Sequence, residues 1–225
     1  FIITLAIGDT AFSHAALFTP ETALPMIERA EAIGLKNLQF LLDGTPDDHI
    51  ISIGKMCRVR DILPITVCVM FPPVCPTGDD KAADAALGHV VETARRARLL
   101  AGDEDKNECI MTGPILRRLT HSLKGGLPLP EDRLKQLKFV KAVRQKLGGL
   151  KKFKLGIEPV NRTEAPSMNK IGEVVELVKE AGAADLIGIL ADGFHALMGE
   201  DDPVVEVFEK YRVHIVQVHL SEVKR

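Results

Sequence analysis

Seven short, nearly unbroken apolar runs recur along the chain, separated by longer stretches whose apolar residues return every three or four positions. Such runs suit strands covered on both faces, and the stretches between them suit amphipathic helices. The alternation therefore predicts parallel strands joined by crossover helices. The strand candidates are Ile2 to Ile7, Leu38 to Leu42, Leu63 to Met70, Glu108 to Thr112, Phe153 to Val160, Leu186 to Ala191 and Val213 to Leu220. Helical stripes are carried by Ala86, Val90, Ala94 and Ala97 or Leu99, by Leu134, Leu137, Val140, Val143 and Leu147, and by Ile171, Val174, Val175 and Val178. The punctuation agrees: Thr19-Pro20-Glu21 opens a helix, Gly34 follows a helix end, and Gly148-Gly149 closes the helix before the fifth strand.

At 225 residues the chain suits one large domain spanning 1–225, and 46% hydrophobic against 27% charged residues is a composition that folds. It opens at Phe1 inside a strand-like run and stops at Arg225 directly after another, so the domain reads as truncated at both ends. Lysine plus arginine is 29 and aspartate plus glutamate is 31, and 29 − 31 = −2 gives no pull toward phosphate backbones or anionic lipid. With no tryptophan and one tyrosine, platforms for stacking bases are scarce too. The expected partner is a small molecule, with no nucleic acid and no membrane. Cysteines 57, 68, 75 and 109 form no Cys-x-x-Cys pair and no disulfide rhythm, which fits a reducing cytoplasm. Neither a basic-then-apolar leader nor an apolar stretch near the roughly 18 residues of a membrane span is found.

A strand-plus-helix unit of about 30 residues leaves two architectures, an open doubly wound sheet and a closed (β/α)8 barrel. The first strand runs into Gly8-Asp9-Thr10-Ala11 without a Gly-x-Gly-x-x-Gly turn, and Lys124-Gly125-Gly126 is not a phosphate loop. The expected fold is thus α/β, a (β/α)8 TIM barrel whose strand eight is missing from this chain. Barrel chemistry sits at the C-terminal strand ends. Strand five delivers Glu158, with Glu164 six residues on; strand six delivers Asp192, followed by Gly193-Phe194-His195; strand seven delivers His219. Two carboxylates and an imidazole, Glu158, Asp192 and His219, suit one divalent ion of manganese, magnesium or cobalt type, manganese being favoured over zinc. Such an ion polarises a sugar carbonyl, and a nearby carboxylate can take the adjacent proton to give an enediolate. The blander reading of each acid is a helix cap or an ion pair. His214, at odd separation from His219, is expected to be structural, His14, His49, His89 and His121 solvated, and Cys68 a buried thiol.

In its stretches Glu158-Pro-Val-Asn-Arg-Thr-Glu164, Asp192-Gly-Phe-His195 and His219-Leu-Ser-Glu-Val-Lys-Arg225, the sequence resembles the xylose-isomerase-like TIM barrels, in particular the sugar phosphate isomerase/epimerase group with the D-tagatose and D-psicose 3-epimerases. The resemblance implies that Glu158 is both metal ligand and catalytic base, and that Asp192 and His219 are further ligands. It also implies that Glu164, His195 and Arg225 bind substrate hydroxyls or the reacting oxygen, that Asn169 is a loop or helix-start residue, and that the protein forms homodimers or homotetramers. A second catalytic glutamate is expected on strand eight, past Arg225. Gln39 stands where relatives often have an acid, and Gly193 where they have threonine. Two alternatives remain: a barrel that binds sugar or metal without turnover, and the apurinic-endonuclease branch, which needs histidines at the ends of strands three and four. Arg117, Arg118 and Lys124 could form a cup for a substrate phosphate, a solvated surface being the plainer reading.

Overall fold

In a computed structural model, which describes residues 2–4, 18–70, 74–116 and 130–220, each of the seven apolar runs contains a strand, some shorter than the run: β1 (Ile2–Thr4), β2 (Asn37–Leu41), β3 (Leu63–Val67), β4 (Cys109–Gly113), β5 (Phe153–Ile157), β6 (Ile187–Asp192) and β7 (Ile215–His219). Between them lie helices α1 (Pro20–Ala32), α2 (Asp47–Val59), α3 (Asp80–Ala101), α4 (Pro130–Leu147), α5 (Ile171–Glu180), α6 (Gly193–Gly199) and α7 (Val204–Tyr211). The strands form one parallel sheet in the order β1-β7-β6-β5-β4-β3-β2. β1 pairs Ile2 with Gln217 and Thr4 with His219. It also comes within 8 Å of β2, so the sheet curls until its two ends approach. A curled parallel sheet with alternating helices is a partial TIM barrel.

The helix boundaries follow from local chemistry. Thr19 caps α1 by accepting the Thr22 N–H, with Pro20 in the first turn, where its missing N–H costs nothing. Gly34 then takes a positive φ of 75° just beyond the helix end. The α3 and α5 stripes are buried as expected, with Ala86, Val90, Ala94 and Ala97 on one and Ile171, Val174, Val175 and Val178 on the other. The α4 stripe is corrected. Leu134 is 67% exposed, and the buried face runs from Leu147 through Val143, Val140 and Phe139 to Gln136 and Asp132. Returning by threes and fours from Leu147 leads to polar residues, so the N-terminal half of the helix buries side chains that hydrophobicity does not flag.

The main apolar core fills the layer between the sheet and α3, α4 and α5, and a second cluster lies under α1 and α2. The concave face of the sheet is more polar. There the Gln39 amide donates to Thr112 Oγ1 at 2.8 Å, from β2 across β3 to β4, which only side chains projecting inside the curl can do. Among the described residues, no helix is long and apolar enough to cross a membrane.

Candidate metal centre

Glu158 is the first residue after β5, and Pro159 restricts it to extended backbone. Its N–H donates to the Gly113 carbonyl at 3.0 Å, fastening the end of β5 to the end of β4. Gly113 has φ +147°, and a Cβ there would stand 2.0 Å from the Cys68 carbonyl oxygen, so the approach of β3 to this strand end requires glycine. Thr112 pairs with Gly156 in the sheet, and strand alternation then puts Glu158 on the same concave face, one pleat nearer the rim. Its side chain is only 12% exposed, with Oε1 3.7 Å from His195 Nε2.

Asp192 ends β6 and begins α6. One carboxylate oxygen, Oδ1, accepts the His195 N–H at 3.0 Å and so caps the helix; the other, Oδ2, lies 3.6 Å from His219 Nδ1. The blander reading, a helix cap, and the metal-ligand reading therefore occupy different oxygens of one group. Burial by itself would push the Asp192 carboxyl up. The adjacent His219, the His195 main-chain N–H and the charges of both imidazoles outweigh it and hold the carboxyl at about 2. Asp192 is thus an anion throughout the ordinary pH range, a requirement for binding a hard cation.

Ligand atoms of Glu158, Asp192 and His195 all lie within 4.8 Å of one another. The structure thus brings Glu158 and Asp192 together as the sequence suggests, and adds His195 to them; His219 joins through Asp192. Asn161, buried in the loop after β5, decides what His195 can do. Its main-chain N–H points at His195 Nδ1 at 3.3 Å and its side-chain Nδ2 lies 2.9 Å from the same atom. A main-chain N–H can only donate, so Nδ1 is the acceptor and the ring proton sits on Nε2, toward Glu158. In this arrangement His195 presents an N–H from Nε2 toward Glu158 Oε1, 3.7 Å away. Asn161 also donates to Glu164 Oε1 at 3.2 Å, placing Glu164 beside His195 Nδ1 at 3.9 Å. The loop is held from outside by Asn169, whose amide donates to the Val160 and Ala165 carbonyls at 2.7 and 2.8 Å.

Two residues with parts in the centre carried no role in the sequence reading. Asn161 was visible only as a letter of the Glu158-to-Glu164 stretch. Gln217 stands two positions before His219 on β7, a spacing that puts both on one face and that could have drawn attention to it. Arg225, Arg117, Arg118, Lys124, His14 and His121 lie outside the described residues. His89 and His49, expected to be solvated, are half-buried, and His89 Nε2 lies 3.1 Å from the Val69 carbonyl. His214 falls in a short 3-10 helix before β7, at the strand end opposite the centre. Cys68 is buried in the core with Ala86 and Val90, and desolvation pushes its thiol up to about 12.

No family model matches the sequence, and no curated protein does. Solved structures with the same fold do. An L-ribulose 3-epimerase is 18% identical, over 94% of this chain and 67% of its own, with a TM-score of 0.80. D-psicose 3-epimerase from Clostridium cellulolyticum H10, solved with D-tagatose, is 16% identical over 90% and 68%, with a TM-score of 0.77. A family 2 AP endonuclease from Brucella melitensis is 16% identical over 99% and 80%, with a TM-score of 0.65. This chain has the fold of the xylose-isomerase-like TIM barrels.

Proposed function

We propose that this protein is a divalent-metal-dependent isomerase or epimerase acting on a ketose or a related small hydroxy-carbonyl sugar. The observation that carries this reading is the convergence of Glu158, Asp192 and His195 within 4.8 Å at the C-terminal rim, with His219 against Asp192. Glu158, Asp192 and His219 would hold the ion. Two carboxylates and one imidazole match manganese, with magnesium or cobalt as substitutes. When bound, the ion supplies Lewis acidity that makes the C–H next to a carbonyl easier to break.

The remaining work falls to the chain's own side chains. Glu158 takes the proton from the carbon beside the carbonyl, in a setting with little competing water. His195, its proton fixed on Nε2 by Asn161, donates to the reacting oxygen or a neighbouring hydroxyl. Glu164 accepts from a more distant hydroxyl, and Arg225 would donate to another. The sugar epimerases among the structural neighbours support a sugar as substrate; a dimeric or tetrameric assembly rests on the sequence resemblance alone. The endonuclease alternative has less support, because β3 and β4 lead into Cys68 and Pro114 and, among the described residues, bring no histidine to the rim.

The test is proton exchange. Purified protein with manganese and D-fructose, D-tagatose or hydroxypyruvate in deuterated water is expected to exchange the proton on the carbon next to the carbonyl, and Glu158→Gln to abolish it. Metal-loaded, full-length protein that exchanges none of these would return the reading to a binding barrel. Undiminished exchange in Glu158→Gln would remove Glu158 as the base.

A further inference from the structure

Gln217 is fully buried (0% exposed), its Nε2 lies 3.2 Å from His219 Nε2, and its Oε1 has no hydrogen-bond partner among the described residues. A buried carbonyl oxygen without a donor is uncommon enough to need a cause. The cause lies in the neighbouring imidazole, which has two tautomers and two different tasks.

Resting on the metal-centre reading above, we propose that the Gln217 amide is a reversible partner of His219, able to serve whichever ring nitrogen state the centre requires. With the ring proton on Nδ1, facing Asp192 Oδ2 at 3.6 Å, His219 Nε2 is bare and the Gln217 N–H donates to it. With Nδ1 given over to a divalent ion, that nitrogen must carry no proton, so the neutral ring holds its proton on Nε2. An N–H donor facing Nε2 is then wrong, and an acceptor is needed at the same place. A half-turn of the amide about its last bond exchanges its oxygen and nitrogen with little change in shape, and brings the orphaned Oε1 to accept from Nε2–H. The unpaired oxygen is thus the acceptor held for the second arrangement.

His195 provides the contrast within the same centre. Its Nδ1 faces a main-chain N–H of Asn161, which cannot turn over, and its tautomer is fixed. One histidine is locked as a donor, and the other is left free to become a ligand. Gln217 is accordingly a positioning residue, acting on the ion through the orientation and protonation of His219.

The experiment uses the full chain with 15N-labelled histidine, His219→Gln identifying the signal, and magnesium as a diamagnetic ion. Wild type is expected to carry the His219 proton on Nδ1 without added metal and on Nε2 at saturating magnesium. Gln217→Met, which has neither donor nor acceptor, is expected to bind magnesium and manganese about 10- to 100-fold more weakly. Gln217→Glu, which keeps an acceptor, should retain the affinity and show Nε2–H even without metal. A metal-binding wild type whose His219 tautomer is the same with and without the ion overturns the Gln217 proposal and leaves the metal centre standing. Wild-type affinity in a folded Gln217→Met chain does the same. A wild type that binds neither ion overturns the metal-centre reading, and the proposal falls with it. The wild-type spectra decide between these outcomes even if the methionine variant does not fold.

Discussion

Strands β5, β6 and β7 bring Glu158, Asp192 and His219 to the C-terminal rim, whereas β2, β3 and β4 end at Leu41, Val67 and Gly113. One pleat deeper on the second side, the polar contact is between neutral groups, the Gln39 amide and the Thr112 hydroxyl. Among the described residues, the ionisable groups buried at the rim are those with others near enough to compensate them. Asp192, with a 2% exposed side chain, has an imidazole on one oxygen and a main-chain N–H on the other. Among the described residues, the first side carries the group that could hold a metal ion, and the second a hydrogen bond between neutral side chains.

The sharpest way to break this division is to remove one polar function on each side. Glu158→Gln is expected to lower proton exchange by about 10²- to 10⁴-fold, read by NMR in deuterated water, with an unchanged thermal midpoint. Thr112→Val, on the other side, removes the acceptor of the Gln39 amide and should cost roughly 1–3 kcal/mol in urea unfolding. It should leave manganese affinity where it was, and a large loss of affinity would show that the sides are not separate.

A smaller effect should appear in acid. The folded Asp192 carboxyl is held at about 2 against an ordinary 3.8. Its contribution is therefore complete above about pH 4 and is lost as pH falls toward 2, on the order of 2 kcal/mol in all. Asp192→Asn should flatten the acid limb of the stability curve over that window, as followed by urea midpoints between pH 2 and 5. A limb of unchanged steepness would mean that the two imidazoles do not stabilise the anion.

The seven strands were legible because strands buried on both faces need apolar residues at every position, a pattern that survives any tertiary detail. α2 was not, since its buried face is Ile50, Ile53, Gly54 and Cys57, and glycine dilutes the stripe. Gly54 is there for packing: a Cβ would stand 1.9 Å from the Leu100 carbonyl oxygen of α3. The α4 face was misread at Leu134 because hydrophobicity favours leucine over Gln136 and Asp132, while the helix turn buries the latter. Leu134→Glu should accordingly shift stability by no more than about 0.5 kcal/mol, the smallest effect expected here. A loss several times larger would restore Leu134 to the core. The acids at the rim could be read from strand ends alone. The different surroundings of His195 and His219 could not, since they depend on Asn161, 34 residues from His195 in sequence, and on which ring nitrogen each amide meets.

Because a single carboxylate both starts α6 and belongs to the group that could hold a metal ion, a change at Asp192 acts on the helix start and on the centre at once. A side chain without an acceptor there would leave the His195 main-chain N–H without this partner at the start of residues 193–199.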